Sequence, residues 1–133
     1  MYCLDTNTCI YFLNGKHESV KRRLLSLPPI EIAIPAVVKA ELLLGAYKSR
    51  NPQKNTEIVE RFLEPFKILP FSDQVTYVYA DLRAVIEKKG EIIGPNDLMI
   101  AAIAQFFAAI LVTNNLKEFS RIKSLKTENW VKS

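Results

Sequence analysis

Apolar positions along the chain fall into two patterns: short continuous runs, and longer stretches with helical spacing. The opening run Tyr2-Cys3-Leu4, ending in Asp5, reads as a first strand over residues 2–5, with a helix starting near Asn7. Val20, Leu24 and Leu27 keep helical spacing up to Pro28-Pro29. Glu31-Ile32-Ala33-Ile34 reads as a second strand, and Pro35 suits the first turn of a helix running to about Tyr47. Asn51-Pro52 has the form of a cap followed by proline at the first helical position. The helix it opens carries Ile58, Val59, Phe62 and Leu63 on one face and stops before Pro65. Phe66-Lys67-Ile68-Leu69 is a third strand. Ser72 then caps a long helix with Val75, Val78, Tyr79, Leu82 and Ile86 on one face, closed by Gly90. A further helix is expected over residues 96–108. Ala109-Ile110-Leu111-Val112 has the continuous apolar character of a central parallel strand. Residues 127–131 read as a last, edge strand.

This strand–helix alternation implies an α/β fold, a parallel sheet with helices on both faces. With no repeat, low-complexity segment or long linker, residues 1–133 form a single domain. A chain of this length buries roughly two-thirds of its unfolded surface. Apolar residues at 49% and charged residues at 24% are globular values. No apolar run reaches the roughly 20 residues of a membrane span. The first residues lack the basic and apolar regions of a signal peptide, so the expected location is the cytoplasm.

Composition also narrows the chemistry. Cys3 and Cys9 are too few for a disulfide framework or a zinc site and are expected to be small buried side chains. His17, the sole histidine, lies in the charged stretch Lys16-His17-Glu18 and is expected to be solvated. Zinc hydrolase chemistry and histidine-based triads therefore lose their support. The formal net charge is +4, compatible with a polyanionic partner. Basic residues cluster at Lys21-Arg22-Arg23 and again at Lys117, Arg121, Lys123 and Lys126; either group could equally be a solvated face.

Four acids stand in apolar surroundings. Asp5 ends the first strand, where ligands gather in open α/β sheets, although an Asp there also suits the cap of the next helix. Glu41 shares a helical face with Val37, Val38 and Leu44 and so points toward the sheet, unless it is exposed or ion-paired. Burying a lone carboxylate costs several kcal/mol unless it is paired or binds a metal. Asp97 shares a face with Ile100, Ala101 and Ala104, although Asn96 or Asp97 could cap that helix. After the fourth strand come Thr113-Asn114-Asn115 and Lys117-Glu118-Phe119, which supply an amide oxygen and a further carboxylate at the edge where Asp5 lies. Converging carboxylates without histidine or thiolate make a hard-oxygen site, suited to Mg²⁺ or Mn²⁺. A metal-dependent phosphodiesterase accounts for buried acids and net positive charge together. Lys117, Arg121 and Lys123, just beyond the fourth strand, are then expected to hold neighbouring phosphates.

These residues resemble the PIN-domain ribonucleases, specifically the VapC toxins of bacterial toxin–antitoxin pairs. The matching segments are Leu4-Asp5-Thr6-Asn7, Ala40-Glu41-Leu42-Leu43-Leu44-Gly45-Ala46 and Ile93-Gly94-Pro95-Asn96-Asp97-Leu98-Met99-Ile100-Ala101. A fourth runs from Leu111 to Ile122, and Glu128-Asn129-Trp130 closes the set; the order holds over nearly the whole chain. The resemblance implies a PIN-like three-layer α/β/α sandwich around a parallel sheet of about five strands. It implies a Mg²⁺- or Mn²⁺-dependent endoribonuclease, a homodimer, and neutralisation by a cognate antitoxin in a larger hetero-oligomer. Asp5, Glu41 and Asp97 match the family's acids, Asp5 and Asp97 being the usual metal ligands. Many relatives carry an Asp where this chain has Asn115, so the fourth role falls to Glu118. Thr6 and Thr113 match hydroxyls that orient the acids. The subtype resembles toxins cutting RNA, tRNA above all, in a single-stranded loop.

Four rival readings are distinguishable. A PIN-fold nuclease of RNA processing or DNA repair would share the acids but usually carries substrate-clamping segments absent here. A haloacid-dehalogenase-type phosphatase needs a second acid two residues after the first, where this chain has Asn7. A receiver-type signalling module needs an Asp at the end of the third strand, where Leu69-Pro70-Phe71 stands. A pure binding module would use the acids as structural ion-pair partners.

Overall fold

The computed structural model describes residues 1–131. Five strands, β1 (Tyr2–Leu4), β2 (Ile32–Pro35), β3 (Lys67–Leu69), β4 (Ile110–Val112) and β5 (Thr127–Glu128), form one sheet in the order β3-β2-β1-β4-β5. Every neighbouring pair is parallel, with Tyr2 and Cys3 opposite Ile32 and Ala33 on one side and opposite Ile110 and Leu111 on the other. The helices among the described residues are α1 (Thr6–Asn14), α2 (Glu18–Leu25), α3 (Ala36–Tyr47), α4 (Pro52–Leu63), α5 (Asp73–Lys88), α6 (Pro95–Phe106) and the single turn α7 (Leu116–Phe119). This is the expected parallel α/β/α arrangement.

The core lies where the continuous apolar runs meet the helical faces. Leu4, Ile34, Leu69, Leu111 and Val112 are fully buried in the strands, as strands covered on both faces must be. Each such side chain contributes about 1.5–3 kcal/mol relative to exposure. Val75, Leu82 and Ile86 of α5 and the small-residue face of α6 complete the packing. Cys3 and Cys9 are buried free thiols, as expected, and burial pushes both thiols up, so they stay neutral.

Local stops and starts follow the residues that signalled them. Asn51 accepts from the Lys54 amide and Ser72 from the Val75 amide, capping α4 and α5. Gly15, at φ +67°, ends α1 in the left-handed conformation that glycine adopts without a Cβ penalty. Four expectations need correction. Strand β5 ends at Glu128 rather than Val131, because the Asn129 side chain accepts from the Val131 amide and Trp130 turns back onto Tyr2, ring centres 5.6 Å apart. Leu44 is exposed; the packed line of α3 is Val38, Leu42 and Ala46, which leaves Glu41 at its flank. Ile58 lies outside the packed face of α4. His17 is half-buried, edge-on to the Tyr11 ring at 4.5 Å.

The strand order reverses at β1, whose neighbours are β2 and β4. Such a switch point opens a crevice beyond the carboxyl ends of the two diverging strands. Here the crevice is bordered by Asp5, which follows β1, and Thr113 to Asn115, which follow β4.

Candidate active site

Asp5 is held from three sides. It is the N-cap of α1, accepting from the Thr8 amide at 2.9 Å, while its own amide donates to the Val112 carbonyl across the sheet at 3.1 Å. The Thr113 hydroxyl hydrogen-bonds its carboxylate and is itself fully buried. The Thr8 hydroxyl, 3.2 Å from the Val112 carbonyl, ties the first turn of α1 to β4. Only 5% of Asp5 is exposed. Burial raises its pKa; the hydrogen bonds from Thr113 and Thr8 oppose that, and the Glu41 charge adds to it. The cap and the site acid are thus one residue, and the two readings of Asp5 both hold.

Asp97 stands in the first turn of α6, whose cap is Gly94 with Pro95 after it, so neither Asn96 nor Asp97 serves as the cap. Asn96 instead donates to Glu41 Oε2 at 3.2 Å. The buried face behind Asp97 is Ile100, Ala101 and Ala104, as the spacing predicts. Its pKa is raised to about 6, first by burial, then by the charge and hydrogen bond of Glu118, then by the charges of Asp5 and Glu41. Both Asp5 and Asp97 sit at helix N-termini, where the helix dipole favours anions.

Glu41 is half-buried and fixed by the Thr6 hydroxyl, which donates to Oε1 at 2.5 Å, and by Asn96. Thr6 therefore orients Glu41 and not Asp5. Glu118 lies beyond the fourth strand, as expected, on the single helical turn α7. Asn115 Nδ2 donates to Glu118 Oε2 at 3.1 Å, and the Asn115 amide donates to the Thr113 hydroxyl at 2.9 Å. The structure thus brings Asp5, Glu41, Asp97, Glu118, Asn115 and Thr6 to one edge. Asn96 and Thr8 belong to the same network and escaped the sequence reading; Asn96, one residue before Asp97 at a helix start, carries no signal except as a cap.

The basic residues behave differently. Lys117 and Lys123 are exposed, whereas Arg121 is half-buried and engaged, donating to the Ile92 carbonyl at 2.5 Å with Glu91 3.8 Å away. Arg121 and Lys123 line a hollow against Asp81 of α5 and Lys89 just beyond it rather than the acid crevice. The sequence expected Arg121 to hold a neighbouring phosphate; in the structure its guanidinium is engaged by the 91–92 segment. Arg23, too, lies over the Tyr2 and Trp130 rings, 5.5 and 5.6 Å from their centres, and faces Glu128 at 3.6 Å.

Among the described residues, none of the four acids forms a salt bridge. Nor do three His, Cys, Asp or Glu side chains close into a cage that could hold an ion unaided. Magnesium does not require one: it usually keeps several waters and takes one or two carboxylates plus substrate phosphates. A crevice of uncompensated carboxylates with two of them pressed up in pKa fits that donor pattern.

A five-stranded parallel sheet with carboxylates gathered at its switch point defines a PIN-type fold. The family model for the PIN domain matches residues 2–125. Ribonuclease VapC2 of Rickettsia felis is 44% identical over 133 residues, covering 99% of each chain. The tRNA(fMet)-specific endonuclease VapC of Salmonella typhimurium is 36% identical, covering 97% of each. The toxin chain in the crystal structure of VapBC2 from Rickettsia felis, bound to a promoter DNA fragment, superposes with a TM-score of 0.90, covering 97% of this chain and 98% of that one. DNA-bound VapBC from Salmonella typhimurium gives 0.91 at 36% identity, with 97% of both chains covered. The chain belongs to the PIN-domain family and, within it, to the VapC toxins.

Proposed function

We propose that this protein is an endoribonuclease toxin that uses Mg²⁺, or Mn²⁺ in its place, to cut a phosphodiester bond in a single-stranded loop of RNA, with tRNA as the substrate class. The observation that carries the reading is the convergence of Asp5, Asp97, Glu41 and Glu118 with no cationic partner among the described residues. Relatives named ribonuclease and tRNA-specific endonuclease support the substrate class. Asp5 and Asp97 would hold the ion, with Glu118 and Asn115 completing the site through water. A bound divalent ion supplies charge neutralisation and a more acidic water. Glu41, held by Thr6 and Asn96, would accept a proton from the attacking water. Lys117, exposed on α7 beside Glu118, would hold the strand as a point charge. No helix among the described residues is long and apolar enough to cross a membrane, which suits the cytoplasm.

The control of this activity falls to an antitoxin of the VapB type, with the toxin as a homodimer inside a larger assembly. Solved relatives are VapBC complexes. Here a groove of about 320 Å³ runs between α1, α3 and α4, lined by Ile10, Leu13, Ala46 and Ile58 together with Glu41. An apolar antitoxin segment lying there would deliver a following Arg or Lys to the acids. Expression of the protein alone should arrest growth and co-expression with its antitoxin should restore it, with new tRNA ends appearing only in the arrested cells. Unimpaired growth with soluble wild-type protein would contradict the proposal.

A further inference from the structure

The site contains a mechanical problem. Asp97 and Glu118 come from different elements, α6 and α7, yet the Glu118 carboxylate is close enough to raise the Asp97 pKa. Two like charges so placed push their supports apart whenever no cation lies between them. The support of Glu118 is a single helical turn, and α7 is not among the elements that pack broadly on α6. Buried Phe119 anchors the turn to the core, and Asn115 and Thr113 hold its start. None of these ties α7 to the chain that leads into Asp97.

Arg121 does. Its amide donates to the Glu118 carbonyl at 3.1 Å, so its position follows that of Glu118. Its guanidinium reaches across to the segment before α6, donating to the Ile92 carbonyl and facing the Glu91 carboxylate. From Ile92 it is five residues to Asp97, through the buried anchor Ile93 and the cap Gly94. On its other side that segment is fastened to α5 by the Glu91 amide on the Ile86 carbonyl at 3.1 Å. The guanidinium fork can bond a carbonyl and face a carboxylate at once, which a lysine ammonium does less well.

We propose that Arg121 is a positioning residue that clasps the Glu91–Ile92 segment and so holds Asp97 and Glu118 side by side against their repulsion. The clasp preorganises the acids for the dication and makes no contact with RNA. The inference rests on the reading that these acids take up Mg²⁺. Residues that orient metal ligands from behind typically change metal affinity 10–100-fold when lost.

The test is Mg²⁺ binding by calorimetry without RNA, paired with RNA affinity in EDTA over a range of salt, for wild type, Arg121→Ala, Arg121→Lys and Glu91→Gln. The clasp predicts about tenfold weaker Mg²⁺ binding in Arg121→Ala and Glu91→Gln, at the low end of that range. It predicts partial recovery in Arg121→Lys, cleavage that recovers at high Mg²⁺, and an unchanged salt slope of RNA binding. Glu91→Gln keeps Arg121 and all four acids, so it decides the matter even if Arg121→Ala fails to fold. Unchanged Mg²⁺ affinity in Glu91→Gln would overturn the clasp. So would a salt slope flattened by about 0.7 in Arg121→Ala with Mg²⁺ affinity intact, since that marks a phosphate contact. If wild type takes up no Mg²⁺ at all, both the clasp and the proposed chemistry fall.

Discussion

The two halves of the acid crevice are built on opposite principles. Around Asp5, burial is opposed, though not cancelled, by bonds that the fold would form anyway: the amide that Asp5 caps and the threonine that follows the neighbouring strand. Around Asp97, burial is made worse by its neighbours, since Glu118, Asp5 and Glu41 all raise its pKa. The first half has donors that work against its burial. The second is an electrostatic debt that a cation would clear.

Neutralising either half should therefore stop cleavage, and each should stabilise the metal-free protein, since burial disfavours both charges. Asp5→Asn and Asp97→Asn are each expected to lower the cleavage rate about a thousandfold, the several kcal/mol that a metal ion contributes. Asn is as good a cap as Asp, so Asp5→Asn keeps the helix start while losing a buried charge, and both it and Asp97→Asn should melt higher than wild type without metal. Melting curves in EDTA beside single-turnover rates check both; a destabilised Asp97→Asn would mean that the carboxylate is held by attraction.

A second contrast concerns Glu41 and Glu118. Glu41→Gln should be nearly as damaging as the Asp variants, since Thr6 and Asn96 fix that carboxylate for one task. Glu118→Gln should be milder and shift the preference toward Mn²⁺. Equal loss at Glu118 and Asp97, read from rates in each metal, would make the two halves of Asp97's pair equivalent.

The pH dependence of stability sharpens the comparison further. Unfolded, Asp97 titrates near 3.8; folded and metal-free, at about 6. The folded state thus holds that proton more tightly, so the stabilisation is full in acid and is lost as pH rises from about 4 through about 6. Asp5, also raised, acts in the same sense. Denaturation in EDTA should show wild type losing stability relative to Asp97→Asn across that window, and Mg²⁺ should raise the melting temperature more at pH 7.5 than at pH 5. The smallest effect expected is at the supports: Thr6→Val should slow cleavage about tenfold, as loss of one hydrogen bond to a charged group implies, and Asn96→Ala less, its bond being longer.

The two halves also differ in how well sequence foretold them. Asp5, Glu41 and Asp97 were legible because an acid beside a strand end or on an apolar helical face is costly, and the continuous run at Leu111-Val112 placed the central strand. Glu118 was legible as a residue beyond the fourth strand, but its helical turn was not, since four residues give no periodicity. Leu44 misled because α3 is apolar nearly all round, so spacing alone could not choose its packed side. The contacts of Arg121 were not legible because proximity along the chain says nothing of where a long side chain reaches; its partners, 29 and 30 residues earlier, become neighbours only when α5 and α6 fold together.

The most direct test is cleavage of a tRNA by the purified wild-type protein under titration with Mg²⁺ after EDTA treatment, with Asp97→Asn in parallel. The account predicts no cleavage in EDTA, a single cut in a loop that returns as Mg²⁺ is restored, and none with Asp97→Asn at the same concentrations. Cleavage undiminished by EDTA, or retained by Asp97→Asn, would contradict it.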